Sequence, residues 1–331
     1  MQPPSTQPPS KTNKPLHESA LLSADELNKL ISIKDPFIKL IDATYVLPGS
    51  DYQPKEIFQR KRIDSARFFD IDEIADPNTD LPHMLPSPQL FAQKIGEMGI
   101  TEDHHVIIYG QENILMGPAR VWWMFRVFGQ KQVSVLNVNL KVWEKNIYPI
   151  RRCKPLEHDK VEYRPNLKES LVTDINAVEA ISASQVVPIY DARPAERFKG
   201  TAPEPRPNLP SGNIPGSINI PATSLINPDT GGLKHPSEYQ HMFSLALHNS
   251  QKNPITTCGS GITACLLSLA MYELGLTESR VYDGSWAEWA QKHPPGEQGQ
   301  QVQAEDQTRT DRPNDGTPPM PPPLPEEAPP Q

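Results

Sequence analysis

The residues best suited to chemistry lie in "PITTCGSGITAC", positions 254–265. A β-branched run ends at Cys258, glycines follow at 259 and 261, and an apolar segment then begins. A thiol attacks only as the thiolate, and an ordinary cysteine, with a pKa of about 8.5, is mostly protonated at neutral pH. Two features of this stretch favour an anion. Open α/β sheets place their sites at the C-terminal ends of strands, and a helix starting just beyond offers unpaired N–H groups and the positive end of its dipole. Gly259 and Gly261 let the backbone curl so that successive N–H groups can point at one sulfur. The competing reading, a packing cysteine, suits Cys265, because Ile262, Cys265, Leu266 and Leu269 share a helical face. Cys153, in a polar stretch, is read as incidental. Cys258 is the expected nucleophile. A Cys-x5-Arg phosphatase loop is excluded, since Ala264 holds the arginine position and Thr257 replaces the preceding histidine.

The elements that must hold this loop repeat along the chain with an offset of close to 150 residues. "PFIKLIDATY" (36–45) matches "QVVPIYDARP" (185–194), an apolar strand ending in Asp-Ala at Asp42 and Asp191. "DHHVIIYG" (103–110) is echoed by "KNPITTCG" (252–259), which sets Gly110 opposite Cys258. The apolar segments "ARVWWMFRVFG" and "ITACLLSLAMYELG" follow and read as helices, with Gly129 and Gly275 as left-handed C-caps. "VSVLNVNLKVWEK" (133–145) aligns with "SRVYDGSWAEWAQ" (279–291). Strands alternating with helices at this spacing predict an α/β fold of two domains, each a parallel sheet flanked by helices on both faces. The expected division is a Pro-rich N-terminus at 1–19, a domain at 20–150 without a thiol at its site, a linker at 151–167, a catalytic domain at 168–294 and a Pro-rich tail at 295–331.

Composition narrows the class. The 331 residues carry a net charge of −8 with no dense Lys/Arg run, which argues against direct nucleic-acid binding. No apolar run approaches the roughly 18 residues needed to cross a bilayer. Three cysteines are too few for a disulfide framework, and no Cys/His spacing suits zinc, so neither metal nor cofactor is expected. The start of the chain lacks a secretory apolar core and, rich in proline, makes a weak mitochondrial presequence. The expectation is a soluble protein of a reducing compartment, cytoplasm first and mitochondrion second. Among the 38 prolines, those of "PPMPPPLPEEAPP" suggest extended polyproline II.

"CGSGITAC", with "RFKGTAPEPR" (197–206) upstream and "YDGSWAEW" (282–289) downstream, resembles the tandem-rhodanese sulfurtransferases, specifically the 3-mercaptopyruvate sulfurtransferases. "FFDIDEIADPNTDLPHMLP" (68–86) and "ARVWWMFRVFG" extend the resemblance into the first half, so that it covers about 20–294. It implies two rhodanese-like domains and one cysteine, Cys258, that takes the sulfane sulfur of 3-mercaptopyruvate as a persulfide and releases pyruvate. A thiol acceptor, such as thioredoxin or a small thiol, would then remove the sulfur. Arg197 and Arg206 match the family's substrate-binding arginines, whose planar forks suit a carboxylate. Gly259, Gly261, Ile262 and Thr263 complete the expected substrate loop. Asp72, His83 and Ser260 match a proposed proton relay, with the alternative that Asp72 and His83 merely knit the two halves. Asp191 and Asp283 are expected to be structural, and Trp122 and Trp123 to be core.

Departures from the family pattern are "RIDSA" (62–66), Asn213 in "GNIPGS", and "NVN" (137–139) in place of an Asp-Gly-Gly turn. The last is similar to fungal members that also serve tRNA wobble-uridine thiolation. The leading expectation is therefore a 3-mercaptopyruvate sulfurtransferase. Second stands a sulfur-relay carrier handing persulfide sulfur to a partner protein for tRNA thiolation or cofactor sulfuration. Thiosulfate as donor ranks third, because Gly259 and Ser260 bring no positive charge for a dianion. A non-catalytic interaction module fits only the first half, where Gly110 has no side chain to react.

Overall fold

The computed structural model describes residues 18–47, 50–111, 115–249 and 252–294. The expectations for 1–17 and 295–331 lie outside these residues.

Ten strands form two sheets of five. The first sheet contains β1 (Leu21–Leu22), β2 (Ile38–Asp42), β3 (Arg67–Phe68), β4 (His105–Tyr109) and β5 (Gln132–Leu136), in the order β1-β5-β4-β2-β3. The second contains β6 (Val172–Thr173), β7 (Ile189–Asp191), β8 (Ile218–Asn219), β9 (Ile255–Thr257) and β10 (Arg280–Tyr282), in the order β6-β10-β9-β7-β8. Raising each number in the first order by five gives the second. Every neighbouring pair in both sheets is parallel, so both are buried sheets covered by their crossover helices. The sequence repeat is a repeat of topology.

Register fixes the correspondence to the residue. Asp42 pairs with Tyr109 in the first sheet as Asp191 pairs with Thr257 in the second. Ala43 N donates to Tyr109 O and Ala192 N to Thr257 O, each at 2.9 Å. Gly110 and Cys258 are the next residues at equivalent strand ends. A Cβ on Gly110 would lie 3.1 Å from Pro118 Cγ, so packing there already fills the space that Cys258 occupies in the second half.

Helix α1 (Met116–Val127) follows β4, and α2 (Ala264–Glu273) follows the cysteine loop. Both are followed by glycines with positive φ, Gly129 at 82° and Gly275 at 87°, which end the helical turn without a Cβ clash. The residues of α2 from Ala264 to Met271 are all buried, Cys265, Leu266 and Leu269 among them. The cause is the duplication itself, since α1 and α2 pack against each other and are covered on every side. Trp122 meets Tyr272 edge to face at 5.3 Å, and the Arg126 guanidinium lies 4.7 Å from both ring centroids. One hydrophobic core therefore runs through both halves, from Phe91 and Trp122 to Leu266 and Met271.

The residues between the two sheets strap the first half. Val161 N donates to Gly96 O at 3.0 Å, Asn166 N to Phe128 O at 2.9 Å and Lys168 N to Val127 O at 2.7 Å. Arg62, the first residue of "RIDSA", is buried and donates to Cys153 O and Lys154 O at 2.6 and 2.9 Å. The "NVN" departure joins the halves: Asn137 exchanges two hydrogen bonds with the Leu233 backbone, and Asn139 N donates to Thr230 O. Asn213 Nδ2 donates to Phe198 O at 3.0 Å, closing the turn after Arg197.

Candidate active site

Cys258 follows β9 directly and is 2% exposed. The loop 259–263 curls from it into α2 and is held from below by the helix α3 (Ser285–Lys292). Ser285, at φ 52°, accepts from Cys258 N at 3.1 Å and Gly261 N at 3.0 Å, while its hydroxyl donates to Tyr282 O at 2.8 Å. Trp286 N and Ala287 N donate to the carbonyls of Cys258 and Gly259. These contacts turn two loop N–H groups inward, so the expected convergence on the sulfur is narrower than the sequence suggested. Among the described residues, the N–H groups of Gly259, Ser260, Ile262 and Thr263 have no protein acceptor. They stand at the start of α2, where a helix receives an anion.

Gly261, grouped with the substrate loop from sequence, stands elsewhere. At φ 79°, its side-chain position is 2.7 Å from Asp283 O and 3.0 Å from an Arg120 nitrogen, so it packs under the loop rather than along the cleft. Gly261→Ala is expected to lower stability by at least about 1–3 kcal/mol from backbone strain alone. Urea unfolding measures this, and an unchanged midpoint would show that the loop is not pressed against Asp283.

The cleft above Cys258 encloses about 130 Å³ and is lined by Gly259, Ser260, Ile262 and Thr263, with Arg197 and Arg206 beside Tyr45. A side chain at position 259 would meet an Arg197 guanidinium nitrogen at 3.0 Å and one of Arg206 at 3.9 Å, so glycine there lets both cations approach the loop. Their environments differ. Arg197 is paired with Glu204, through Nε at 3.3 Å and a second, close contact from NH2. Glu204 is buried and also accepts from Arg193 at 2.9 Å, and Arg193 in turn grips Asp191 at 2.7 Å. Asp191 thus steadies the arginine wall. Arg206 donates to Ser260 Oγ at 3.1 Å and, among the described residues, has no carboxylate within salt-bridge distance.

The first half enters the site through residues 72–85. His83, at φ 62°, brings Nδ1 to 3.0 Å from Ser260 Oγ and Nε2 to 3.0 Å from Asp72 Oδ1. With Nε2–H donating to the carboxylate, Nδ1 is the acceptor of the Ser260 proton. The His83 hydrogen bond is the chief cause holding the Asp72 carboxyl below its ordinary value, so Asp72 is ionised at neutral pH. Tyr45 Oη is 3.2 Å from the same Nε2, and burial, reinforced by Asp72, pushes its hydroxyl up to about 12. Asp72, His83, Ser260, Arg206 and Cys258 are brought together at one place.

Sequence reasoning missed the clasp that sets this placement. Arg120, on α1 and fully buried, donates to Asp283 Oδ1 at 2.6 Å, Gly261 O at 3.4 Å and His83 O. Asp283 Oδ2 accepts from Leu85 N at 2.7 Å. One arginine of the first half therefore holds both the histidine segment and the cysteine loop. The signal was present: a charge inside the apolar run "ARVWWMF" has to be paired. Cys265 donates its thiol to Gly261 O at 3.2 Å, and burial pushes that thiol up, which makes it a packing residue. Among the described residues, no His/Cys/Asp/Glu group could hold a metal ion, and no helix is long and apolar enough to cross a membrane.

A recessed thiol, Cys258, thus lies at the mouth of a duplicated parallel-sheet fold and is flanked by two arginines. Residues 175–292 match the rhodanese-like domain. The chain is 35% identical over 259 residues to the 3-mercaptopyruvate sulfurtransferase of Homo sapiens, covering 78% of this chain and 86% of that one. It is 36% identical over 263 residues to the thiosulfate sulfurtransferase of Rattus norvegicus, covering 78% and 87%. The crystal structure of Tum1 protein from Saccharomyces cerevisiae superposes with a TM-score of 0.75 at 28% identity, over 84% of this chain and 97% of that one. The chain belongs to the tandem-rhodanese family of 3-mercaptopyruvate and thiosulfate sulfurtransferases, and it is a sulfurtransferase.

Proposed function

We propose that Cys258 carries sulfur from 3-mercaptopyruvate to a thiol acceptor. The donor's carboxylate sits on Arg206, with Arg197 as its second anchor, and its thiol sulfur faces Cys258. The Cys258 thiolate attacks that sulfur, the carbon–sulfur bond breaks, and its electron pair leaves as the enolate of pyruvate. A proton completes pyruvate, and Cys258 is left as a persulfide over the unpartnered N–H groups of the loop. Ser260, linked to His83 and through it to Asp72, is placed to pass that proton. An acceptor thiolate then attacks the outer sulfur and restores Cys258. Thioredoxin and small thiols are suitable acceptors, and a sulfur-relay protein can take the same persulfide. No cofactor enters these steps. The halves divide at 20–150 and 168–294, the first contributing Asp72, His83 and Arg120 while Gly110 leaves it without a nucleophile. The site of action is the cytoplasm, with the mitochondrion second.

The observation that carries the choice of donor is the contrast between the two arginines. Among the described residues Arg206 has no carboxylate within salt-bridge distance, and the loop adds no further cation at 259 or 260. That suits one carboxylate better than a sulfur-oxygen dianion. Arg206→Gln is expected to lower kcat/KM for 3-mercaptopyruvate by about 10–100-fold, chiefly through KM, the loss of a charged hydrogen-bond pair. Arg197→Gln should cost less, because Glu204 already takes much of its charge. Steady-state pyruvate release with each variant measures both, beside thiosulfate as an alternative donor. Preference for thiosulfate, or an Arg206 effect confined to kcat, would overturn the assignment.

A further inference from the structure

A second cavity, of about 560 Å³, lies on the first half and shares no lining residue with the Cys258 cleft. It opens between the end of the helix Ala24–Ile33, strand β2 and the strap that follows β5. Its cationic lining consists of Lys34, Lys39 and Arg67, with the imidazole of His158 among them and apolar walls that include Ile38 and Leu156. Among the described residues Arg67 has three side-chain hydrogen-bond partners and none is a carboxylate: Nε donates to Met98 O at 2.5 Å, NH1 to Ser65 O at 3.0 Å, and NH2 to His158 Nδ1 at 3.3 Å.

The two carboxylates of the lining are engaged elsewhere. Asp64 holds Arg151 through both oxygens, at 2.8 and 3.0 Å, and Asp35 accepts from Phe37 N at 2.9 Å. The uncompensated charge is felt by its neighbours. Burial, then Arg67 and Lys39, hold His158 down at about 4 against a small opposing effect of Asp159. Burial and Arg67 lower Lys39, and burial, Lys39 and Arg67 lower His104 against the opposing Thr101 and Asp103. In a chain of net charge −8, Lys34, Lys39 and Arg67 line one cavity, and among the described residues none of them has a carboxylate within salt-bridge distance; half-buried charge is costly until it is paired.

We propose that this cavity binds a small organic anion, with a phosphate or carboxylate head on Arg67, Lys39 and His158 and an apolar body against Ile38 and Leu156. The planar guanidinium supplies directional donors to either head, and Lys39 supplies a point charge. Calorimetric titration of the full chain with phenyl phosphate, benzoate, inorganic phosphate and phenol tests it. One saturable site is expected for phenyl phosphate or benzoate, tighter than for inorganic phosphate, and the better of the two identifies the head. Lys39→Gln should weaken it about tenfold and Arg67→Gln at least as much. Turnover of 3-mercaptopyruvate by Lys39→Gln should stay at the wild-type level, which marks that variant as folded. In NMR titrations, saturation should move the His158 imidazole upward from its depressed value. Absence of saturable binding, equal binding of phenol, affinity unchanged in Lys39→Gln, or a stationary His158 would each overturn the proposal.

Discussion

A Cys258→Ser variant is expected to lose pyruvate release from 3-mercaptopyruvate by about four orders of magnitude or more, while unfolding at nearly the wild-type urea concentration. The size follows from the role, since removing a covalent nucleophile removes the route rather than an increment of it. A serine hydroxyl at neutral pH offers no anion for the donor sulfur. Folding should survive because the loop is held by its backbone, through Ser285, Trp286 and Ala287, and not by the thiol. Neither remaining cysteine can substitute: Cys265 is sealed beneath the loop and Cys153 lies in the strap of the first half. Coupled assay of pyruvate is the measurement, and residual turnover of a few per cent would show that another group carries the sulfur.

Arg120→Met is expected to destabilise the protein by about 3–5 kcal/mol, because it strands a buried carboxylate, Asp283, without its cation. It also frees the His83 carbonyl and removes one tie on the cysteine loop, so kcat should fall with the stability. The double variant Arg120→Met/Asp283→Asn separates the two effects. Removing the stranded charge should recover a large part of the lost stability, while kcat stays low because His83 is still not clamped. Urea denaturation and pyruvate assay on Arg120→Met, Asp283→Asn and the double variant measure this. Additive stability losses would contradict the ion pair, and a wild-type kcat in the double variant would contradict the positioning of His83.

Much of the site was legible because its parts are local. Cys258, Gly259 and Ser260 are contiguous, and Arg197 and Arg206 fall within ten residues of each other. The parallel sheets were legible because the repeat shows the same strands twice, with Asp42 and Asp191 ending equivalent ones. The rest depends on contacts between distant residues. The apolar run of α2 announces burial, but nothing in it says that α1 is what covers it. Arg120 and Asp283 are 163 positions apart, and their pairing exists only when the halves share a core. Gly261 looked like a substrate-loop residue from its position, yet its left-handed backbone turns it toward Asp283. Ser285 sits in the quoted "YDGSWAEW" as an ordinary small residue, and its capture of two loop N–H groups follows from a positive φ that sequence does not announce.

The most direct test of the central claim is the intact mass of the protein after mixing with 3-mercaptopyruvate without an acceptor. Wild type is expected to gain one sulfur, about 32 Da, with one equivalent of pyruvate released, and to return to its starting mass when a thiol acceptor is added. Cys258→Ser is expected to show no gain. An unchanged wild-type mass accompanied by pyruvate release, or an equal gain in the serine variant, would contradict a persulfide on Cys258.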